Sequence, residues 1–140
     1  MATISNATLV IENVDDTTVK VTVNYDLVPN QTEKLATSVF QEDISIVAND
    51  SGTLTPVFTF ANGAKPAQYA VDTSTATVSR SRDHQIPKST LNEDPGFLAN
   101  GAQDPDEIQA QITITYAANA PSTPKLPPVT TTNLVVGAWV

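Results

Sequence analysis

The sequence predicts an all-β protein: a single-domain antiparallel β-sandwich of seven or eight short strands, with a small β-barrel of the same strands as the alternative. Three observations carry that expectation. Two long segments alternate apolar and polar residues with a period of two, the mark of strands with one buried and one wet face. Twenty threonines and fifteen valines stand against one methionine, and β-branched side chains favour a pleated surface over a helix. Ten prolines divide the chain into short runs. Its 140 residues show no composition break and no internal repeat, so residues 1–140 read as one domain.

Residues 7–13 form the first apolar run. The acidic turn Val14-Asp15-Asp16-Thr17 folds it back, as a hairpin, onto residues 18–27. In that second strand Val19, Val21, Val23, Tyr25 and Leu27 share one face; Thr18, Lys20, Thr22, Asn24 and Asp26 share the other. Asn30 and Glu33 have the capping-box spacing, and Leu35 and Val39 stand four apart. Residues 32–39 are therefore the one helix candidate, although an extended run into Phe40 fits them equally well. Ile44, Ile46 and Val47 belong to a strand that stops at the turn Asn49-Asp50-Ser51-Gly52. Residues 54–60 place Phe58 and Phe60 on one face and end before Asn62-Gly63. Residues 69–71 and 75–78 are two short strands or one bent one. Residues 79–107 lack a strand pattern and are expected to form a long loop. Ile108, Ala110, Ile112, Ile114 and Tyr116 then alternate with Gln109, Gln111, Thr113 and Thr115. Residues 117–133 contain four prolines and read as an extended spacer leading to a C-terminal strand, residues 134–140.

Composition removes several function classes. With no cysteine there is neither a disulfide framework nor a thiolate metal site, and one histidine, His84, cannot supply a two-imidazole centre. A net charge of −8 disfavours a phosphate backbone as partner, so no nucleic acid is expected. No basic residue precedes Lys20, and no apolar run has the length of a signal core or a membrane span. The chain is expected to be soluble without a signal peptide, cytoplasmic or part of a virion, with no membrane partner. Sequons begin at Asn6, Asn30 and Asn49 and are expected to be silent. No Gly-rich phosphate loop and no nucleophile elbow is present.

The segment 79–107 holds nine charged residues: Arg80, Arg82, Asp83, Lys88, Glu93, Asp94, Asp104, Asp106 and Glu107. His84 beside Asp83, with Ser79 and Ser81 near, suggests a triad. Sequence neighbours do not converge in the way a triad requires, however, so no catalytic residue is assigned. The five later carboxylates, Glu93, Asp94, Asp104, Asp106 and Glu107, match no EF-hand spacing, and no metal site or cofactor is expected. Arg80 and Arg82, two apart, would share one face of an extended segment, with the later acidic group returning beside them. Phe97 is the aromatic in this segment that strand alternation does not claim. Arg80, Arg82, His84 and Phe97 are thus the loop candidates, should the chain be a carbohydrate- or calcium-dependent binding module.

The last segment points elsewhere. In Leu134-Val135-Val136-Gly137-Ala138-Trp139-Val140 both faces are apolar, and such a strand requires cover on both sides. Leu134, Val135, Val136, Trp139 and Val140 are the assembly candidates. The expected function is that of a non-enzymatic structural or interaction subunit of a homo-oligomeric or virion-like assembly, such as a capsid decoration or tail component. It would act by self-association or by binding another virion or structural protein. A ligand-binding module using residues 79–107 is the alternative.

Overall fold

The structure, a computed structural model, describes residues 2–60, 67–92 and 105–139. The sandwich is present, made from two antiparallel sheets. One sheet has three strands in the order β1 (Thr3–Asn13), β2 (Thr18–Val28) and β6 (Val78–Pro87). The other runs from β4 (Thr53–Thr59) through β3 (Val39–Asp50) and β7 (Asp106–Ala118) to β8 (Thr130–Thr131). β5 (Gln68–Ala70) also pairs with β3, and β9 (Val135–Gly137) with β7. Two short helices, α1 (Gln31–Ala36) and α2 (Lys88–Leu91), connect strands.

The alternating faces meet in the middle. Val19, Val21, Val23, Tyr25 and Leu27 of β2 pack across from Ile44 and Ile46 of β3 and from Ile108, Ala110, Ile112 and Ile114 of β7. All are buried. Burying a side chain of this kind contributes about 1.5–3 kcal/mol relative to leaving it in water. The central position of β2 and β7 in their sheets follows from this full apolar face.

Several expectations need correction. Residues 79–87 are not loop: they form most of β6, in full antiparallel register with β2 from Leu27↔Val78 to Thr18↔Pro87. The strand alternates, but Arg80, Arg82 and His84 occupy inward positions that a hydrophobic pattern reserves for apolar residues. α2 follows directly, and residues 93–104 lie outside the described residues. Of residues 75–78, only Val78 is in a strand. α1 has both hydrogen bonds of the capping box from Asn30 and Glu33, yet it stops at Ala36 because Thr37 takes a left-handed backbone (φ 51°). Val39 therefore starts β3, and Leu35 is left 66% exposed. The spacer begins after β7 ends at Ala118 and contains β8 near its close.

Each described sheet edge carries a device that discourages further strand pairing. β4 holds Pro56 next to a register shift against β3. β6 turns two arginines inward. β5, β8 and β9 are three, two and three residues long. β1 has a bulge between Ser5 and Thr8, with Asn6 at φ 53°.

Candidate functional site

Two places hold features that core packing alone does not explain. The first is polar and buried. β3 presents Phe40, Glu42, Ile44 and Ile46 inward, so its alternation carries a carboxylate into the sandwich. Glu42 has a fully buried side chain. Arg82 Nη1 donates to Glu42 Oε1 at 2.7 Å, and Arg80 Nε donates to Oε2 at 3.1 Å. Tyr25 donates its hydroxyl proton to the same Oε2, and the Tyr25 and Tyr69 hydroxyls are 3.2 Å apart. The Arg80 guanidinium stacks over the Tyr69 ring, 4.7 Å from its centroid.

The electrostatics follow from burial and from these partners. Burial drives the Tyr25 hydroxyl far above its ordinary range, and neighbouring Tyr69 and Glu42 push the same way. Burial likewise raises Tyr69, to about 12. Burial alone would lower Arg80, but the hydrogen bond and charge of Glu42 outweigh it, so Arg80 is held above its ordinary value. The cluster thus contains two guanidinium cations, one carboxylate and two neutral phenols.

Aromatic rings continue from it. Phe40 lies between Tyr69 and Tyr116, at centroid distances of 5.8 and 5.4 Å. Tyr116 donates to the buried Glu33 at 2.6 Å and is raised to about 12, by desolvation first and then by Glu33. His84 sits edge-on to Phe58 and Phe60, 5.4 and 5.0 Å away. Ser79, Ser81 and Asp83 are exposed at the alternate positions of β6, on the face opposite His84. The strand's own pleat therefore separates these would-be triad members.

The second place is the segment from Thr130 to Trp139. Thr132 exchanges hydrogen bonds with Ala110: Ala110 N–H donates to Thr132 Oγ1 at 2.9 Å, and Thr132 N–H to the Ala110 carbonyl at 3.0 Å. Asn133 uses its side-chain amide as a strand partner for β1. Leu9 N–H donates to Asn133 Oδ1 at 2.8 Å, and Asn133 Nδ2 donates to the Leu9 carbonyl at 3.2 Å. Trp139, only 7% exposed, lies against Gly137, where an added Cβ would fall 2.9 Å from the indole. Val135 packs against the core from the inner side. Leu134 and Val136 are 42% and 57% exposed. Among the described residues, no second cover closes over the outer side of this strand.

Of the remaining candidates, Phe97 and Val140 lie outside the described residues, as do Glu93, Asp94 and Asp104. Asp106 is buried and Glu107 exposed, at successive positions of β7. They cannot converge on one ion from the same face. Among the described residues, no group of three or more His, Asp or Glu is placed to hold a metal ion, and no helix is long and apolar enough to cross a membrane. Sequence reasoning found Arg80 and Arg82 but missed Glu42, Tyr25 and Tyr69 as their companions. A signal was present: a carboxylate at an inward position of Phe40-x-Glu42-x-Ile44 demands a buried cation.

No family model and no curated protein matches the chain. Among solved structures it is similar to a protein from Archaeoglobus fulgidus, known from a crystal structure, with a TM-score of 0.53 and 12% identity. The match covers 97% of each chain. Such a likeness shows the shared fold.

Proposed function

We propose that this chain is a non-enzymatic structural subunit that associates with further copies of itself through the outer face of β9. The observation that carries this reading is the exposure of Leu134, just before β9, and of Val136 within it, on a segment whose other side is anchored in the core by Val135 and Trp139. Val129, 55% exposed in the spacer just before, adds to the apolar surface of the segment. Leu35, Val10, Val14 and Val28 are exposed elsewhere, but the group of three in the C-terminal segment is of the kind that marks a contact surface. Because each described sheet edge is blunted, the contact is face to face and not a continued sheet. A repeating shell or tube, such as a capsid decoration or tail component, is a setting in which such a subunit serves. Neither a nucleic acid nor a membrane enters this reading.

The test is light scattering after size exclusion, on the full chain and on Val136→Asp and Leu134→Asp. Each substitution removes about 1.5–3 kcal/mol of apolar burial per copy, so association weakens by about tenfold or more. A wild-type oligomer and a folded, monomeric variant are expected. Deleting residues 134–139 is the poorer test, since Val135 and Trp139 belong to the core. A wild-type chain that stays monomeric at every concentration overturns the proposal.

A further inference from the structure

In the buried cluster two cations share one ion-pair partner, and a further buried carboxylate, Glu33, is bound to Tyr116. Arg80 and Arg82 bring two positive charges to Glu42's one negative charge, and Tyr25 and Tyr69 remain neutral hydrogen-bonding groups beside them. Only seven basic residues exist in a chain of net charge −8, yet two of them converge here. Taking a cation out of water is costly unless an anion accompanies it. For structural purposes one arginine would match one glutamate.

Among the described residues, the geometry leaves donors over. A guanidinium has five N–H groups. Toward Glu42, Arg80 uses Nε at 3.1 Å and Nη2 at 3.5 Å, and Arg82 uses Nη1 at 2.7 Å. Among the described residues, the ion pairs of both arginines go to Glu42 alone. Their side chains are not sealed in: 23% and 20% of their surface remains exposed. The Tyr69 ring beneath Arg80 fixes the plane of that guanidinium, and β6 is locked in register with β2. The donors are therefore held in place before any ligand arrives, which lowers the ordering cost of binding.

We propose that Arg80 and Arg82 form a binding site for one small oxyanion, a carboxylate or phosphate group, held by the guanidinium N–H groups that Glu42 leaves unused. Glu42 acts as the positioning residue: it orients both forks from the buried side while the ligand takes the exposed side. Planar, bidentate recognition of this sort is what arginine provides and lysine does not. The site lies on β6 and β3, apart from β9, so its fate in the test is independent of the self-association reading.

Inorganic phosphate and acetate are titrated separately into the full chain, at constant ionic strength set with chloride. Calorimetry and the NMR signals of the arginine Nε groups provide the readouts. Saturable one-to-one binding of either anion is expected, with shifts confined to the Nε signals of Arg80 and Arg82. Binding of phosphate alone identifies a phosphate-type ligand; binding of acetate as well identifies a carboxylate. Arg82→Gln is expected to weaken affinity by at least about tenfold, and Arg82→Lys by a smaller factor. Lys125→Gln, which removes the same charge from an exposed position, leaves it unchanged. The wild-type Nε shifts need no variant, so a poorly folding Arg82→Gln does not void the test. Absence of saturable binding, unchanged affinity in both Arg82 variants, or an equal loss in Lys125→Gln overturns the proposal.

Discussion

At the scale of single residues, Glu42 governs the interior of the sandwich. Removing one partner of a buried ion cluster leaves charge without compensation, a cost of about 3–5 kcal/mol where burial is complete. Here the carboxylate is sealed but the arginines are about one-fifth exposed, so water recovers part of that cost. Glu42→Ala is therefore expected to lower the unfolding free energy by about 2–3 kcal/mol, read from urea denaturation. Combining it with Arg80→Met and Arg82→Met restores much of the loss, because no unpaired charge then remains. A triple variant as unstable as the single one contradicts this account. The sequence made the inward position of Glu42 legible through Phe40, Ile44 and Ile46. It could not show which cations meet it, because Arg80 and Arg82 are 38 and 40 residues away and arrive on another sheet.

At the scale of elements, strands with an apolar inner face were legible and strands with a charged one were not. β2 and β7 announce themselves by apolar residues, mostly valine and isoleucine, alternating with polar ones from Val19 to Leu27 and from Ile108 to Tyr116. β6 has the same period, with Arg80, Arg82 and His84 in the apolar slots, and so reads as loop. α1 shows the reverse error. Its start was legible from Asn30 and Glu33, but its end depends on the backbone of Thr37, a residue with no marked left-handed preference. The β8–β9 segment depends on tertiary partners altogether. Asn133 joins it to β1 with two hydrogen bonds across 124 positions. Asn133→Ala leaves the Leu9 N–H and carbonyl without them, at a cost of about 1–2 kcal/mol. Amide exchange at Leu9 should accelerate selectively, while Val23, whose backbone groups face β6 opposite Arg82, keeps its protection. Unchanged exchange at Leu9 shows that the Asn133 amide is not what protects that edge.

At the scale of the whole molecule, charge sets two responses to solution conditions. Tyr69 and Tyr116 ionise at about 12 in the fold, above the ordinary tyrosine value of 10 they regain on unfolding. Their contribution to stability is complete below pH 10 and is lost as pH rises from there through about 12, since the unfolded chain gives up these protons first. The thermal midpoint should fall across that window, in step with tyrosinate absorbance; a flat profile contradicts the burial assigned to the two phenols. The net charge of −8 also makes copies of the chain repel one another. Added salt screens that repulsion, so self-association through Leu134 and Val136 is expected to strengthen as salt rises. Weighing by light scattering at low and high salt decides it, and weaker association at high salt argues for charged contacts instead. The pairing of β3 with β7 has a consequence for biosynthesis. Ala118 follows Asp50 by 68 residues. At a translation rate of about 5–20 residues per second, β3 waits roughly 3–14 s on the ribosome before its central neighbour is complete. Throughout that interval Ile44 and Ile46 lack the Ile112 and Ala110 that lie beside them in the finished sheet. Strand order alone thus leaves an apolar strand face uncovered during synthesis, the condition under which nascent chains aggregate, whatever the stability of the folded protein.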